Sequence, residues 1–95
     1  MKRVSNLAFN REFPTKSGLA AIPGKNTVRI ARDTDNPFDA EAVGVWLDST
    51  PDLPVGWLYR KDNNRPAVLA KLDAGGAISG HIELQDGRKV VVFWL

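Results

Sequence analysis

The segment spanning residues 32–43 (Arg-Asp-Thr-Asp-Asn-Pro-Phe-Asp-Ala-Glu-Ala-Val) holds the side chains best suited to binding chemistry. Asn36 and Pro37 predict a turn, because proline fixes its own φ and disfavours the helical region for the residue before it. This turn sets Phe38 and Asp39 side by side. An aromatic ring can stack on a nucleobase, and a carboxylate can accept a hydrogen bond from a sugar hydroxyl. The pattern therefore suggests recognition of a base together with its sugar. The structural alternative is an Asx turn in which Phe38 plugs the hydrophobic core.

Short strands and one helix are predicted to position this segment. Apolar alternation and turn residues predict strands over residues 4–9, 27–32, 42–47, 55–58, 77–85 and 89–95. A loop is predicted over residues 11–25, with room for a short strand at 19–22. Asparagines and a proline at 63–66 predict the helix start, with an asparagine side chain as cap, and Gly75-Gly76 its end. The fold class is therefore mostly β with one main α-helix, a small OB-like or SH3-like barrel of about six strands.

Three details of this arrangement are open to test. Gly56 lies in a short strand, which indicates either a bulge or a close approach of another backbone. Alternation predicts that Ile78, Gly80, Ile82 and Leu84 point inward. Residues 90–95 are almost entirely apolar, so this last strand should be covered on both faces or lie at a dimer edge.

Length and composition narrow the class of protein. A chain of 95 residues is expected to form one domain over residues 1–95. The absence of cysteine excludes disulfides and thiolate metal sites, and no apolar run approaches the ~20 residues of a membrane span. The basic start leads into no signal-peptide core, so we expect a cytoplasmic protein. A net charge of +2 is compatible with nucleic acid without arguing for it.

The residue types for catalysis are sparse, so we expect no enzyme activity. His81 is the one histidine and is predicted to lie on the outer face of a strand beside Glu83, which leaves too few ligands for a metal. The Gly75-Gly76 pair lacks the lysine and spacing of a phosphate-binding loop. The acids between residues 33 and 41 lack the ligand spacing of a calcium loop. No metal and no cofactor is therefore expected.

Two motifs together resemble the HIRAN domain family. The family pattern is Arg-(Asp/Glu)-Pro-x-Asn-Pro-(Tyr/Phe)-Asp-x-Asn-Ala-(Ile/Val), then a strand, then Val-Gly-(aromatic/His)-Leu and a helix. The chain supplies in order Arg32, Asp33, Asn36, Pro37, Phe38, Asp39, Ala42, Val43, Val55, Gly56 and Leu58. The resemblance covers residues 4–85 and is to a stand-alone bacterial or phage member. It implies a small β-barrel that binds single-stranded DNA and recognises a free 3′-hydroxyl end, with a helicase or nuclease as a further partner.

The resemblance also implies roles for particular residues. Phe38 corresponds to the stacking aromatic and Asp39 to the carboxylate that accepts from the 3′-hydroxyl. Asn36 corresponds to the residue that orients the loop or contacts the terminal nucleotide, and Phe9 to a second stacking aromatic. Arg60 falls where the family places a phosphate-binding cation, and Lys61 beside it is included in the expected DNA-binding site. Trp57 is a further aromatic residue of that site.

Departures from the family pattern bear on these roles. Thr34 replaces a proline, which loosens the turn. Glu41 replaces an asparagine and adds an acid near the expected DNA site, while Ala8 stands where some members carry a phosphate-binding arginine. Trp57 can either face the ligand or fill the core.

A protein-interaction module is the competing hypothesis. In that case Trp46, Trp57 and Trp94 would form an aromatic groove on an SH3-like domain that does not bind DNA. The oligomeric state is expected to be a monomer or weak dimer.

Overall fold

Six antiparallel strands close into a barrel in the computed structural model of the protein, which describes residues 1–13 and 26–95. The elements in chain order are β1 (Lys2–Phe9), β2 (Thr27–Arg32), β3 (Val43–Leu47), β4 (Gly56–Leu58), α1 (Arg65–Asp73), β5 (Ile78–Gln85) and β6 (Arg88–Trp94). Around the barrel the strands follow the order β1-β4-β3-β2-β5-β6. The expected fold class, a small mostly β barrel with one helix, is confirmed for the described residues.

The core fills the barrel with alternate side chains from the strands. Pleating sends successive residues to opposite faces, so each strand contributes every second residue to the interior. Fully buried members include Val28, Ile30, Val45, Ile78 and Phe93. Val68 of α1 belongs to the same cluster, which shows that the helix packs against the barrel interior.

Gly56 marks a close approach of two backbones. It pairs with Phe9 of β1 and Val45 of β3, and the carbonyl oxygen of Ala8 occupies the space that a Cβ would need. The close-approach interpretation is therefore confirmed. Val55, predicted as the first residue of this strand, lies just before it and donates its N–H to the Val45 carbonyl at 2.8 Å.

The last strand has no free edge. β6 pairs with β1 on one side and with β5 on the other, and Val90–Phe93 are all buried. Closure of the barrel satisfies both rows of backbone groups, so the dimer-edge interpretation is wrong for this strand. Burial within the chain explains the apolar run over Val90–Phe93, whereas Trp94 at its end is 48% exposed.

The helix begins and ends close to where its sequence signals predicted. Pro66 lies in its first turn, and Gly75 follows its end with a φ of +86°. A positive φ is readily adopted by glycine, which lacks a Cβ. After the helix, the chain returns to the barrel at β5.

The predicted capping role of asparagine is wrong. Asn64 precedes the helix but forms no side-chain cap. Its Nδ2 instead donates to the carbonyl of Val4 at 3.0 Å and to Oγ of Ser5 at 2.8 Å, and its Oδ1 accepts from Nη1 of Arg3 at 3.2 Å. The tertiary partners on β1 therefore compete successfully with the local helix N–H groups.

The prediction that the side chain of Leu84 on β5 points inward is wrong. Ile78 and Ile82 are buried as expected, but Leu84 is 57% exposed. It pairs with Lys89 next to the β5–β6 hairpin, where no further strand covers it. The short strand considered for residues 19–22 lies outside the described residues.

Within the described part of the chain, no helix is long and apolar enough to cross a membrane. No group of three or more His, Cys, Asp or Glu side chains within residues 1–13 and 26–95 is arranged to hold a metal ion.

Candidate nucleic-acid interface

The loop between β2 and β3 presents Phe38 to solvent on an ordered turn. Oδ1 of Asn36 accepts hydrogen bonds from the backbone N–H groups of Phe38 at 2.9 Å and Asp39 at 3.1 Å, which defines an Asx turn. Phe38 is 87% exposed. The turn is as predicted, whereas the interpretation of Phe38 as a core plug is wrong. A large apolar ring held in solvent by a fixed turn is a ready stacking surface.

The Asp39 carboxylate is held in place by several donors. Its Oδ1 accepts from the backbone N–H of Glu41 at 2.9 Å, and its Oδ2 accepts from Nη2 of Arg65 at 2.8 Å. Nε of Arg60 lies 3.4 Å from Oδ2. The Glu41 N–H, followed by Arg65, lowers the pKa of Asp39 below its ordinary value, because these groups favour the charged form. Asp39 is therefore an ionised, oriented hydrogen-bond acceptor.

Arg65 is the residue that the sequence analysis missed at this site. Its buried guanidinium donates to the backbone carbonyls of Glu41 and Arg60, both at 3.0 Å, in addition to Asp39. One side chain thereby joins the β2–β3 loop, the β4–α1 loop and the helix. The signal was present in the sequence, since an arginine shares the helical spacing of Val68 and Leu69 and must find acceptors if it is buried.

Arg60 and Lys61 border the same cleft as the exposed Phe38 ring. Nη2 of Arg60 donates to the Phe38 carbonyl at 3.0 Å. The basic cleft, which we name after its three cationic residues although three acids also border it, has a volume of about 740 Å³ and is lined by Phe38, Asp39, Ala40, Glu41, Arg60, Lys61, Asp62, Asn63, Arg65, Pro66 and Leu69. Four of the predicted site residues, Phe38, Asp39, Arg60 and Lys61, therefore surround one space.

A second cleft also borders Phe38. The acidic cleft has a volume of about 750 Å³ and is lined by Asn10, Glu12, Asp33, Asp35, Asn36, Pro37, Phe38, Asp39, Trp46, Asp52, Leu53, Pro54 and Trp57. Trp57 is half-buried, and its Nε1–H donates to Oδ2 of Asp33 at 2.8 Å. Trp57 therefore lines a surface cleft, and Phe38 and Asp39 border both clefts.

Phe9 lies apart from these clefts. It lines a third pocket with Asn6, Leu7, Tyr59, Arg88 and Lys89. Lys89 Nζ is 5.4 Å from the centre of the Phe9 ring. Tyr59, which the sequence analysis did not select, is 54% exposed and directly precedes Arg60. The structure thus connects Phe9 to the loop of Arg60 through Tyr59 and not through Phe38.

The extra acid at Glu41 has its own counter-charge. Nη1 of Arg32 lies 2.9 Å from Oε2 of Glu41, and the same guanidinium forms two hydrogen bonds with Asp73 at 2.7 and 2.8 Å. The contact with Arg32 also lowers the pKa of Asp73. Because Glu41 is paired, it opposes a nearby phosphate less than an unpaired acid would.

The aromatic groove of three tryptophans is not formed. Trp46 and Trp57 line the acidic cleft, but Trp94 lies on β6, which is opposite β3 in the six-stranded ring. Its indole neighbours His81, with ring centres 5.9 Å apart. This arrangement reduces the aromatic surface available to an interaction module to Trp46, Trp57 and Phe38.

Comparison with known proteins adds information on the fold. The chain resembles a crystal structure of a protein from Lactobacillus plantarum, determined by the Northeast Structural Genomics Consortium, with a TM-score of 0.59 and 14% identity. The match covers 98% of this chain and 96% of the other. No protein-family model and no curated protein matches the chain. At this level of identity the likeness shows a shared fold.

Proposed function

We propose that the protein is a non-enzymatic module that binds single-stranded DNA and recognises its free 3′-hydroxyl end, as HIRAN domains do. The observation that carries the proposal is the exposed Phe38 ring on an Asx turn, directly beside the ionised Asp39 carboxylate. Arg60 and Lys61 border the same basic cleft. A stacking surface, an acceptor and two cations are the groups that a nucleotide end requires.

The terminal base would stack on Phe38. Stacking of a base on an aromatic side chain is worth ~1–3 kcal/mol and tolerates any base, so it supplies affinity without sequence preference. The Asx turn adds to this affinity because the ring is already positioned and little loop entropy is lost on binding. Arg60 and Lys61 would neutralise backbone phosphates, which makes the affinity fall with rising salt.

Asp39 would distinguish the end of the strand. An ionised carboxylate has about four lone-pair positions, and the contacts with Glu41 and Arg65 leave room for a hydroxyl donor. A 3′-phosphate carries no such hydroxyl donor, and the charge of the carboxylate opposes it, although Arg65 and Arg60 reduce this repulsion. The carboxylate therefore favours a hydroxyl end by both attraction and repulsion.

The strand would leave this pocket along the β4–α1 loop. Tyr59 directly precedes Arg60 in the sequence, and the pocket that it lines also holds Phe9 with Arg88 and Lys89. Alternating aromatic and basic groups suit a single strand, whose bases and phosphates alternate in the same way. In a cell the bound end would be delivered to a helicase or nuclease partner.

The end chemistry of the DNA provides the test. Fluorescence anisotropy at low salt would compare labelled oligonucleotides with a 3′-hydroxyl, a 3′-phosphate and a blunt duplex end. We expect the 3′-hydroxyl strand to bind about tenfold or more tightly than the 3′-phosphate strand, since a like-charge contact costs over a kcal/mol. Equal affinities for these two strands would refute end recognition, and affinity that does not respond to salt would refute DNA binding.

Variants of residues that border the basic cleft test which of them produce the affinity and the preference for a 3′-hydroxyl end. Asp39→Asn keeps the size of the side chain and should reduce the preference for 3′-hydroxyl over 3′-phosphate more than total affinity. Lys61→Gln should lower the affinity for both strands equally. Asp86→Asn, on the exposed β5–β6 hairpin, is the control for the change in net charge and should leave both quantities unchanged.

A further inference from the structure

We propose that the acidic cleft binds an arginine-bearing segment of a partner protein. The cleft borders Phe38 but not Arg60 or Lys61, and its apolar wall is built from Trp46, Trp57, Leu53 and Pro54. The inference does not depend on DNA binding, because Asp35, Asp52 and Trp57, which carry it, do not border the basic cleft.

The charge of the cleft selects a cationic occupant. Glu12, Asp33, Asp35, Asp39 and Asp52 all border it, and no lysine or arginine among the described residues does so. Asp35 and Asp52 are exposed and form no ion pair within the described part of the chain. A DNA backbone would be repelled here, whereas a guanidinium or ammonium group would be attracted.

The tryptophans add a second reason for a cation. The electron-rich face of an indole attracts a cation, and the attraction is stronger for tryptophan than for phenylalanine or tyrosine. Within this chain the guanidinium of Arg29 already lies 5.1 Å from the Trp46 ring centre. Arg29 does not border the cleft but already covers a face of Trp46, so Trp57 is the indole that a cation bound in the cleft would contact.

The geometry favours arginine over lysine. A guanidinium is planar, stacks on aromatic rings and donates two parallel hydrogen bonds to one carboxylate. Leu53 and Pro54 supply apolar contact for the aliphatic part of the side chain, which arginine buries readily. A lysine would gain the charge attraction without the stacking or the paired hydrogen bonds.

The walls of the cleft are held before any partner arrives. The Trp57 indole is tied to Asp33, and Nδ2 of Asn10 donates to the Pro54 carbonyl at 2.9 Å. Asn36 fixes the loop on the third side through its contacts with Phe38 and Asp39. A preformed cleft loses little conformational entropy on binding.

Titration with short peptides tests the proposal on the full chain. The probes are blocked tetra-arginine, tetra-lysine and tetra-glutamate peptides, and the signal is intrinsic fluorescence, because two of the three tryptophans border the cleft. Isothermal titration calorimetry provides the affinity. We expect saturable binding of tetra-arginine, weaker binding of tetra-lysine and none of tetra-glutamate.

Two double variants that change the net charge by the same amount distinguish peptide binding in the cleft from general electrostatic attraction. Asp35→Asn with Asp52→Asn removes two cleft carboxylates, and we expect the affinity for tetra-arginine to fall roughly tenfold. Asp48→Asn with Asp86→Asn removes two carboxylates that do not border the cleft, and we expect no change. Trp57→Leu tests the aromatic contribution and should remove the preference for arginine over lysine.

The opposite results would overturn the proposal. Equal weakening in both double variants would show that only net charge attracts the peptide. The absence of saturable tetra-arginine binding would show that the cleft has no such ligand. Concentration-dependent self-association that the Asp35→Asn and Asp52→Asn variant abolishes would identify a second copy of the chain as the occupant instead. None of these results depends on whether DNA binds.

Discussion

Arg65 and Asp39 form a hydrogen-bonded ion pair, 2.8 Å from Nη2 to Oδ2, that joins the start of the helix to the loop carrying Phe38. The pair is only part of the role of Arg65, which also donates to two backbone carbonyls. The proposed end pocket therefore depends on a residue that need not touch the DNA. This dependence leads to a first prediction.

Replacing Arg65 should destabilise the fold. Arg65→Gln removes the charge and most of the donors while leaving three acceptors in a largely buried place. Loss of one partner from a buried pair costs about 3 kcal/mol, and we expect a decrease of about that size in the free energy of unfolding. Urea denaturation measures it. Arg88→Gln, at an exposed position, is the control, and a midpoint equal to the wild type would contradict the assigned role.

Asn36 should act through its oxygen alone. Asn36→Ala removes the acceptor for the N–H groups of Phe38 and Asp39, so the turn should loosen and affinity for single-stranded DNA should fall several-fold. Asn36→Asp keeps an acceptor at the same place and should preserve the turn. Global stability should change by about 1 kcal/mol or less in either variant. Equal DNA affinity for Asn36→Ala and wild type would show that the turn is not needed.

The lowered pKa of Asp39 predicts how the preference for a 3′-hydroxyl end depends on pH. Its folded-state pKa lies below the ordinary value of 3.8, so its ionised form contributes stability above that value and loses the contribution as the pH falls through the folded pKa. The preference for a 3′-hydroxyl end should therefore be constant from about pH 7 to about pH 5. Anisotropy titrations across this range measure it. A preference that declined by half near pH 6 would require a different titrating group.

The same carboxylate predicts a pH-dependent stability difference. The difference in unfolding free energy between wild type and Asp39→Asn should be constant at neutral pH and shrink once the pH falls below the ordinary carboxyl pKa. Urea denaturation at several pH values records it. A difference that grew on acidification would contradict the lowered pKa.

Gly56 should tolerate no side chain. Gly56→Ala would place a Cβ against the Ala8 carbonyl and the Leu7 side chain, forcing β1 and β4 apart. We expect a loss of about 2–3 kcal/mol in stability, as for other overpacked sites. Ser79→Ala, on an exposed position of β5, should change stability little. Thermal unfolding followed by circular dichroism compares the two.

Local features of the fold followed from the sequence. The alternation in residues 27–32, the hairpin residues at 86–87 and the glycines after the helix each act within a few residues, so their pattern alone predicts the element. The Asx turn at Asn36 and the adjacency of Phe38 and Asp39 are local in the same sense. For this reason the fold class and the central part of the candidate site could be predicted.

Contacts between distant residues could not be predicted. Arg65 meets Asp39 across 26 positions of the chain, and Asn64 bonds to β1 rather than capping its own helix. Trp94 was grouped with the other tryptophans by residue type, although the barrel places it on the opposite side. Single-sequence patterns carry no information on which of these long-range partners is geometrically available.

The sequence by itself determined the strands, the helix and the turn that exposes an aromatic ring beside a carboxylate. Only the tertiary structure decided that Arg60 and Lys61 border one cleft beside that ring while five acids border another. The physical reason is barrel closure, which brings the β2–β3, β3–β4 and β4–α1 loops to one end. There the charges of separate segments sort into one cleft bordered by three cations and three acids and another bordered by five acids and by no lysine or arginine of the described residues.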